Sequence, residues 1–454
     1  MLVNDKETSI TFFINSYDIM ARNITGLLRI TYRNQQNLDR MNTPLQPKPL
    51  SAFLHSNEIA RLRDPDLNAA RGLPASIYTD YDFFALEQKH LFPNVWVGIG
   101  FDTDVPLAGD AVPLEVGGSP LILCRDHEGR IQVLHNVCRH RATLVLESGK
   151  SGLKNFQCPY HGWVYDLDGR LLATPFWDGT SSAKRCPVPA DSASLVPVRS
   201  GVWNHIVFVN LSGMASSLET YLADMQNELG HFDLESMELA HTESWEFDAN
   251  WKLVMENWEV YHHVWVHQGV FDQMSEEVDM QTGSPYTDMI ASNNCLMLRP
   301  NECRKTSARP SSGLLPSMPR NNATKDINKR SSIANAILPN VTASMGVVEF
   351  APAVYTPIAP DKTLAKMAWF VPQGVLGFEK YQPEVDKILE RWLGPDRSIT
   401  GRRGIRAQDH HCMELQQKAR NSPVADDVRF SRTWESNVRY FQDWLVKRLE
   451  IAKA

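Results

Sequence analysis

Two cysteine–histidine pairs constrain this chain more than any other feature of its sequence. The first is Cys138-Arg139-His140, and after seventeen residues the second follows as Cys158-Pro159-Tyr160-His161. Each pair places one thiol and one imidazole on a short segment. Two such segments can hold two metal ions, with two thiolates on one ion and two imidazoles on the other. A fold for this chain therefore has to bring these two segments together.

A Cys₂His₂ zinc site is the competing interpretation of the same residues. Zinc fingers usually pair Cys with Cys and His with His along the chain, whereas here each segment contributes one of each. Neutral imidazoles in place of two thiolates raise the potential of an iron–sulfur cluster, which suits a centre that accepts electrons and passes them on. The pattern therefore favours an electron-relay cluster over zinc.

The residues around the two pairs, 136–141 and 158–163, resemble the Rieske domain of the ring-hydroxylating oxygenase alpha subunits, which are Rieske non-haem iron oxygenases. The resemblance implies a Rieske-type [2Fe–2S] cluster that relays electrons. The ligands that it implies are Cys138, His140, Cys158 and His161.

A second histidine-rich motif lies within residues 250–267. His262 and His267 are five residues apart, so on a regular helix of about 100° per residue they would not share a face. A helix end or a bulge is needed to bring both to one ion. The segment resembles the catalytic signature of the same family, in which an acid, two residues, a histidine, four residues and a second histidine follow one another.

That resemblance implies that His262 and His267 bind Fe(II), with His263 as the alternative to His262. It also implies that Glu259 links the Rieske histidine of a neighbouring subunit to the iron site. The family usually has one more residue before this acid, whereas here only Trp258 separates Asn257 from Glu259. The spacing from acid to histidine is nevertheless intact.

A carboxylate is needed to complete a site of two histidines and one acid, which leaves open positions for O₂ and substrate. The segment 407–417 resembles a downstream helix of the family. The resemblance implies Asp409 as the third iron ligand, and Glu414 and Asp426 are the alternatives.

Composition excludes several classes of protein. The chain of 454 residues has a net charge of -7, which disfavours a nucleic-acid partner. No apolar run reaches the roughly 18 residues that a membrane span needs, and no secretory signal is recognisable. Seven cysteines, an odd number spaced too widely for a disulfide scaffold, favour a reducing cytoplasm.

The order of predicted strands and helices along the sequence indicates an α+β protein. We expect an N-terminal extension over residues 1–75, an all-β Rieske [2Fe–2S] domain over 80–205, and a helix-grip catalytic domain with an antiparallel sheet over 206–454. Strands are expected at 94–99, 120–124, 131–134, 163–165, 170–172, 202–209, 343–350 and 363–371, helices at 218–229, 250–268, 382–393 and 432–453, and a long loop at 300–335.

The family resemblance implies an oxygenase that uses O₂ and electrons from NAD(P)H, supplied through a partner reductase or ferredoxin, and that assembles as a homotrimer. An acid of the Glu259 type occurs in the branch that oxidises choline, glycine betaine and carnitine. An aromatic ring-hydroxylating dioxygenase and a biosynthetic tailoring oxygenase are the alternatives, whereas a simple Rieske electron carrier would lack the second motif. Aromatic residues that can form a cation–π cage for a quaternary amine are Trp258, Trp265, Tyr355, Trp369 and Phe370.

Overall fold

Three small antiparallel sheets occupy the middle of the chain. The computed structural model describes residues 48–179, 189–230, 232–259, 262–263, 266–267, 286–300, 334–346, 348–394 and 404–451. The sheets have the strand orders β1-β9-β8, β2-β3-β4 and β5-β6-β7. Their strands are β1 Val97–Phe101, β2 Ala111–Val116, β3 Ser119–Arg125, β4 Ile131–His135, β5 Phe156–Gln157, β6 Val164–Tyr165, β7 Leu171–Ala173, β8 Arg199–Trp203 and β9 Ile206–Asn210.

The short β-strands expected for this region are confirmed, with one correction. The single strand predicted over 202–209 is a hairpin of β8 and β9, in which Trp203 pairs with Ile206. Asn204 and His205 form the two-residue turn with φ values of 46° and 68°. Two positive φ values are characteristic of the turn that matches the twist of a hairpin, and the run of β-forming residues concealed this turn.

A seven-stranded antiparallel sheet forms the scaffold of the second half of the chain, as expected. Its order is β10-β16-β15-β14-β13-β12-β11. The strand predicted over 343–350 is in fact the end of one strand and the start of the next. The strands are β10 Glu238–Phe247, β11 Tyr286–Ser292, β12 Cys295–Pro300, β13 Ala334–Ile337, β14 Val341–Gly346, β15 Glu349–Ala359 and β16 Lys362–Val371.

The two faces of this sheet have different neighbours. Alternate residues such as Tyr355 and Trp369 belong to a core shared with the helices. The residues between them, such as Phe370, belong to a core shared with β1 and β9, where Phe101 lies 6.3 Å from the Phe370 ring. The period of two along each strand separates these faces.

The α-helices account for most of the remaining regular structure, and short 3₁₀ segments and the π-helix Glu87–Leu91 complete it. The α-helices are α1 Ser56–Leu62, α2 Ser76–Thr79, α3 Tyr81–Leu86, α4 Ala190–Ala193, α5 Leu218–Tyr221, α6 Ala223–Leu229, α7 Trp251–Glu256, α8 Gln382–Leu393, α9 Ile405–Ala419 and α10 Ser436–Ile451. The helix predicted over 382–393 is confirmed by α8. Among these helices of the described chain, none is long and apolar enough to cross a membrane.

The helix predicted over 250–268 is much shorter than expected. Helix α7 ends at Glu256, and a 3₁₀ turn follows over Asn257–Glu259, in which Trp258 leaves helical geometry with φ -79° and ψ 15°. The continuous aromatic and histidine-rich pattern indicated helix, but the chain turns before the histidines. Because α7 ends before His262, the spacing of residues on a helix does not determine where the histidines lie.

The segment that follows residue 47 packs with the rest of the described chain. Leu50, Leu62 and Leu73 are buried in the main core, and the Leu73 N–H donates to the Gln442 side chain over 2.9 Å. Residues 48–454 group into one unit by their contacts. The domain boundaries at residues 75–80 and 205–206 stay a prediction, and residues 1–47 and most of the loop predicted over 300–335 lie outside the described residues.

The start of helix α7 is held by a buried asparagine. The side-chain oxygen of Asn250 accepts the Lys252 N–H over 3.0 Å and so caps the helix. Its amide group donates to the carbonyl oxygens of Pro360 at 2.6 Å and Tyr78 at 3.2 Å. The Asn250 N–H in turn donates to Gln417 of α9 over 3.0 Å. One residue thus joins α7 to the sheet hairpin and to α9.

A buried ion pair reinforces this anchor. The Lys252 ammonium lies 2.8 Å from a Glu87 carboxylate oxygen, and both side chains have 0% exposure. The other Glu87 oxygen accepts the indole N–H of Trp251 over 3.2 Å. Burial raises the pKa of Glu87 and lowers that of Lys252, because both charged forms are removed from water, while their mutual attraction opposes the shifts. The pair is therefore stable only while both partners are present.

We expect the variant Glu87→Gln to lower the free energy of unfolding by about 3–5 kcal/mol, because it leaves the Lys252 ammonium buried without a counter-charge. The double variant Glu87→Gln with Lys252→Met should recover much of the loss. Denaturant titration followed by tryptophan fluorescence measures both. A double variant no more stable than the single one would contradict this interpretation.

Candidate metal centres

The two Cys-His loops have the same backbone arrangement. In each loop an N–H four residues after the cysteine returns to the cysteine carbonyl oxygen, from Ala142 to Cys138 and from Gly162 to Cys158, both over 3.0 Å. Ala142 and Gly162 both have positive φ, at 56° and 71°. The two turns are alike, although His140 follows its cysteine by two residues and His161 by three. Only the second turn contains the glycine that favours a positive φ.

The structure brings the four expected cluster ligands into one neighbourhood. The imidazole rings of His140 and His161 have centroids 4.7 Å apart. Cys138 and Cys158 are buried and have free thiols. His140 Nδ1 is buried and has no hydrogen-bond partner within the described chain. Burial, and then the neighbouring His161, lower the pKa of His140, which keeps its ring neutral. These residues fit a cluster held by two thiolates and two imidazoles.

Tyr165 on β6 adds a contact that sequence reasoning missed. Its hydroxyl lies 3.2 Å from Cys138 Sγ and accepts the Arg139 N–H over 3.1 Å. A Cys138 thiolate that binds a metal has no hydrogen to donate, so the Tyr165 hydroxyl would donate its hydrogen to the sulfur. Burial, and then the Cys138 contact, raise the pKa of Tyr165, so it stays protonated. A hydrogen bond to a ligating sulfur tunes the potential of an iron–sulfur cluster.

A second cluster of ligand atoms lies between the segment after α7 and helix α9. The Nε2 atoms of His263 and His267 are each 3.3 Å from the same Asp409 oxygen, Oδ1. The ligand atoms of these three residues lie within 4.8 Å of one another. Asp409 Oδ1 is buried and makes no hydrogen bond of good geometry within the described chain. Two imidazoles and one carboxylate are a donor set that non-haem Fe(II) prefers.

The opposite nitrogens of both imidazoles are held by side-chain acceptors. His263 Nδ1 lies 2.9 Å from Glu259 Oε1, and His267 Nδ1 lies 3.0 Å from Gln408 Oε1. An acceptor at Nδ1 places the ring hydrogen there and leaves the Nε2 lone pair for a metal. Both rings therefore present their ligating nitrogens to the space beside Asp409.

The pKa shifts in this cluster favour a positive charge beside the Asp409 carboxylate. Burial favours the neutral acid, but His267 and His263 overcome it and hold the pKa of Asp409 well below its usual range. Burial likewise opposes charge on His263, but its contacts with the Asp409 and Glu259 carboxylates raise its pKa to about 10. Without a metal, a proton supplies the positive charge. A bound metal cation would take its place and release that proton.

The structure places His263, and not His262, beside His267 and Asp409. The His262 ring instead stacks on Trp434 at 5.7 Å, and its Nδ1 lies 3.1 Å from Glu435 Oε1. The expected grouping of His262 with His267 followed the family spacing. In the segment after α7, His262 instead joins Glu259 and Glu435 in a separate group of potential ligands.

The alternative acids do not belong to this cluster. Glu414 accepts the Asp248 N–H over 3.4 Å, and Asp426 accepts the Ala75 N–H over 2.8 Å. Asp409 is therefore the carboxylate that meets the histidines.

Sequence reasoning also missed Gln408, whose only signal was its position directly before the expected acid. Glu435 was likewise missed, because it lies far along the chain from His262.

The aromatic residues suggested as a cation–π cage do not share one location. Phe370 faces the core beneath β1 and β9, and Tyr355 and Trp369 belong to the opposite face of the sheet. Trp258 lies against the Arg406 guanidinium at 5.5 Å, and Trp265 lies outside the described residues. The cage stays a prediction without support from these positions.

Two family models match the chain. The Rieske [2Fe–2S] domain matches residues 95–184, which contain both Cys-His loops. The catalytic domain of the ring-hydroxylating alpha subunit matches residues 234–451, which contain Glu259, the histidines and Asp409.

Similar proteins cover nearly the whole chain. The oxygenase subunit of glycine betaine monooxygenase from Chromohalobacter salexigens is 26% identical over 435 residues, which span 90% of this chain and 92% of that protein. The quaternary ammonium Rieske monooxygenase CntA has a similar structure, with a TM-score of 0.63 at 17% identity over 86% of this chain and 98% of CntA.

Naphthalene 1,2-dioxygenase from Rhodococcus sp. also shares the fold, with a TM-score of 0.63 at 20% identity over 83% of this chain and 94% of that structure. The likeness therefore extends to enzymes named for different substrates. The two family models each cover one metal centre, the Rieske [2Fe–2S] domain and the candidate mononuclear iron site. This chain therefore belongs to the alpha subunits of the Rieske non-haem iron oxygenases.

Proposed function

We propose that this oxygenase hydroxylates or oxidises a small organic substrate of the quaternary ammonium class, with O₂ and with electrons from NAD(P)H delivered by a partner reductase. The observation that carries the proposal is the buried group of His263, His267 and Asp409 in the same chain as the Cys-His loops. A simple electron carrier has no use for this second group. The match to a glycine betaine monooxygenase along almost the whole chain supports the substrate class.

The proposed iron ligands are His263, His267 and Asp409. When bound there, Fe(II) supplies the activation of O₂, since three protein ligands leave coordination positions open. Glu259 and Gln408 hold the two imidazole rings in the ligating tautomer. Burial of the Asp409 carboxylate, with 6% of its side chain exposed, keeps water from the reacting atoms.

We further propose that Glu259 couples the two kinds of centre across a subunit interface in a homotrimer. Its Oε1 holds His263, while its Oε2 is buried and has no partner within the described residues. The Oε2 atom can accept an N–H from His161 of the partner subunit. His161 itself is exposed, and the exposed aromatic side chains of Tyr160, Phe176 and Trp177 surround it. Such an apolar rim is typical of a surface that another chain covers.

The ligand assignment predicts different results for adjacent histidines. The wild-type chain should hold about three irons and two acid-labile sulfides. His263→Ala should lose about one iron and nearly all substrate-dependent O₂ uptake, while its Rieske absorption remains, because the imidazole that meets Asp409 is gone. His262→Ala, the matched control, should keep all its iron.

Metal analysis with visible spectroscopy measures both variants. Loss of iron in His262→Ala with retention in His263→Ala would overturn the assignment and favour the family spacing. A wild-type chain with only about two irons would overturn the proposed oxygenase activity.

Glu259→Gln should retain both metal centres and the oligomer but lose most turnover. The amide keeps the size of the side chain but removes the charge that orients the His263 ring and accepts the second N–H. Stopped-flow absorbance at the Rieske band should show fast reduction and slowed reoxidation in the presence of substrate and O₂. Reoxidation at the wild-type rate would show that Glu259 is not on the electron path.

Tyr165→Phe should lower the midpoint potential of the Rieske cluster, because it removes a hydrogen bond that stabilises negative charge on the Cys138 sulfur. Tyr160→Phe is the control, since Tyr160 is exposed and contacts the His161 ring. Spectroelectrochemical titration compares the three proteins. Equal potentials in Tyr165→Phe and the wild type would contradict the role of the hydroxyl.

A further inference from the structure

Arg406 is a buried cation for which the described chain provides no anion. It lies in the first turn of α9 and is 3% exposed. Its Nε and Nη2 atoms are buried and have no hydrogen-bond partner among the residues that the structure describes. Removal of a guanidinium from water without a compensating charge costs several kcal/mol. An anion brought to this edge of the guanidinium would compensate its charge.

Three other cations that are buried or largely buried show what Arg406 lacks. Each lies beside a carboxylate, and in each case the acid comes from a distant part of the sequence. The pairs are Lys252 with Glu87, Arg391 with Glu349, and Arg420 with Glu256. The fold thus supplies a counter-charge for every comparable group described except Arg406.

The neighbours of Arg406 leave the edge of its guanidinium without a hydrogen-bond acceptor. The group lies 5.5 Å from the ring centre of Trp258 and 5.0 Å from that of Trp392. These indoles stabilise the cation through their π faces, but they accept no hydrogen bond from its edge. The indole N–H of Trp258 is itself buried and has no partner within the described residues. The Arg406 and Trp258 side chains therefore both have buried hydrogen-bond donors without an acceptor among the described residues.

Asp409 does not serve as the missing counter-ion. Its Oδ1 atom lies between His263 and His267, and Arg406 forms no ion pair with it. Arg406 and Asp409 are three residues apart on one helix, a spacing that places Cβ atoms about 5–6 Å apart on the same face. An anion held by Arg406 would therefore lie on the side of α9 that carries the candidate iron ligand Asp409. The N-terminal end of α9 favours negative charge there as well.

We propose that Arg406 binds a carboxylate group of the substrate and so positions the carbon to be oxidised beside His263, His267 and Asp409. The guanidinium edge presents Nε and Nη2 side by side, which is the arrangement that holds a carboxylate through two parallel hydrogen bonds. The inference rests on the proposed function and narrows its substrate class to compounds that carry a carboxylate. It makes Arg406 a determinant of specificity and assigns it no part in binding iron.

The test compares glycine betaine with its methyl ester, which lacks the negative charge of the carboxylate and carries one additional methyl group. Titration calorimetry on the fully metallated enzyme, without reductant, measures binding in the absence of turnover. Wild-type enzyme should prefer the acid. Arg406→Gln should weaken binding of the acid by about 30-fold or more, as expected when one partner of a buried charge pair is removed, and should change binding of the ester little.

Arg391→Gln is the matched control. Arg391 lies against the same indole, with its guanidinium 5.7 Å from the Trp392 ring, but Glu349 already neutralises it. It should lower stability without changing the preference for the acid over the ester. If Arg406→Gln folds poorly, Arg406→Lys keeps the charge and should retain part of the preference, because only the two-point geometry is lost.

Two results would overturn the inference. One is equal affinity of the wild-type enzyme for the acid and the ester, and the other is unchanged affinity for the acid in Arg406→Gln. Failure of the metallated wild-type enzyme to bind either compound would count against the quaternary ammonium class of the proposed function. Acetate and benzoate would then decide the role of Arg406: binding that Arg406→Gln abolishes supports it, and absence of such binding refutes it.

Discussion

The polar anchor at the start of helix α7 is the interaction on which the candidate iron site depends. Asn250 caps the helix and donates its backbone N–H to the Gln417 side chain of α9, and the fully buried Lys252 is neutralised by Glu87. Gln417 lies about two helical turns along α9 from Asp409. The two segments that carry the ligands are therefore tied together outside the site. A site held by two anchored elements keeps its ligand geometry even though a turn, and not a helix, carries the histidines.

The second general feature of the molecule is how its buried charges are compensated by opposite charges. The buried cation Lys252 has a counter-charge from a distant segment, whereas Arg406 has none among the described residues and lies on the same helix as the candidate iron ligand Asp409. The Asp409 carboxylate and its imidazoles favour a cation, and an anion would compensate the Arg406 guanidinium one helical turn away. A metal ion would supply the first charge and a substrate carboxylate the second. The same physical rule thus connects the stability of the fold with the chemistry of its centre.

Much of the regular structure could be predicted from local patterns. Helix α8 was predictable from its amphipathic spacing and the proline in its first turn, and β16 from its alternating pattern. The errors share one cause, which is that a uniform run of residues conceals a turn. Asn204 and His205 interrupt a β-type run to make a hairpin, and Trp258 ends α7 inside a helix-like run. In both cases the turn is stabilised by contacts from other parts of the chain, which no local pattern contains.

The sequence by itself determined the two sets of metal-binding residue types and the family to which they point, because a thiol or an imidazole binds metal wherever the fold places it. It also determined Asp409, through its position in a recognisable helix. The tertiary structure decided which of two adjacent histidines meets Asp409, since that depends on the rotation of the chain after Glu256. It likewise decided that Glu259 and Gln408 orient the rings, that Tyr165 contacts a ligating sulfur, and that Arg406 is buried without an acid. Each of these relations joins residues through space, and sequence spacing carries no information about such a contact once a turn or a change of element lies between them.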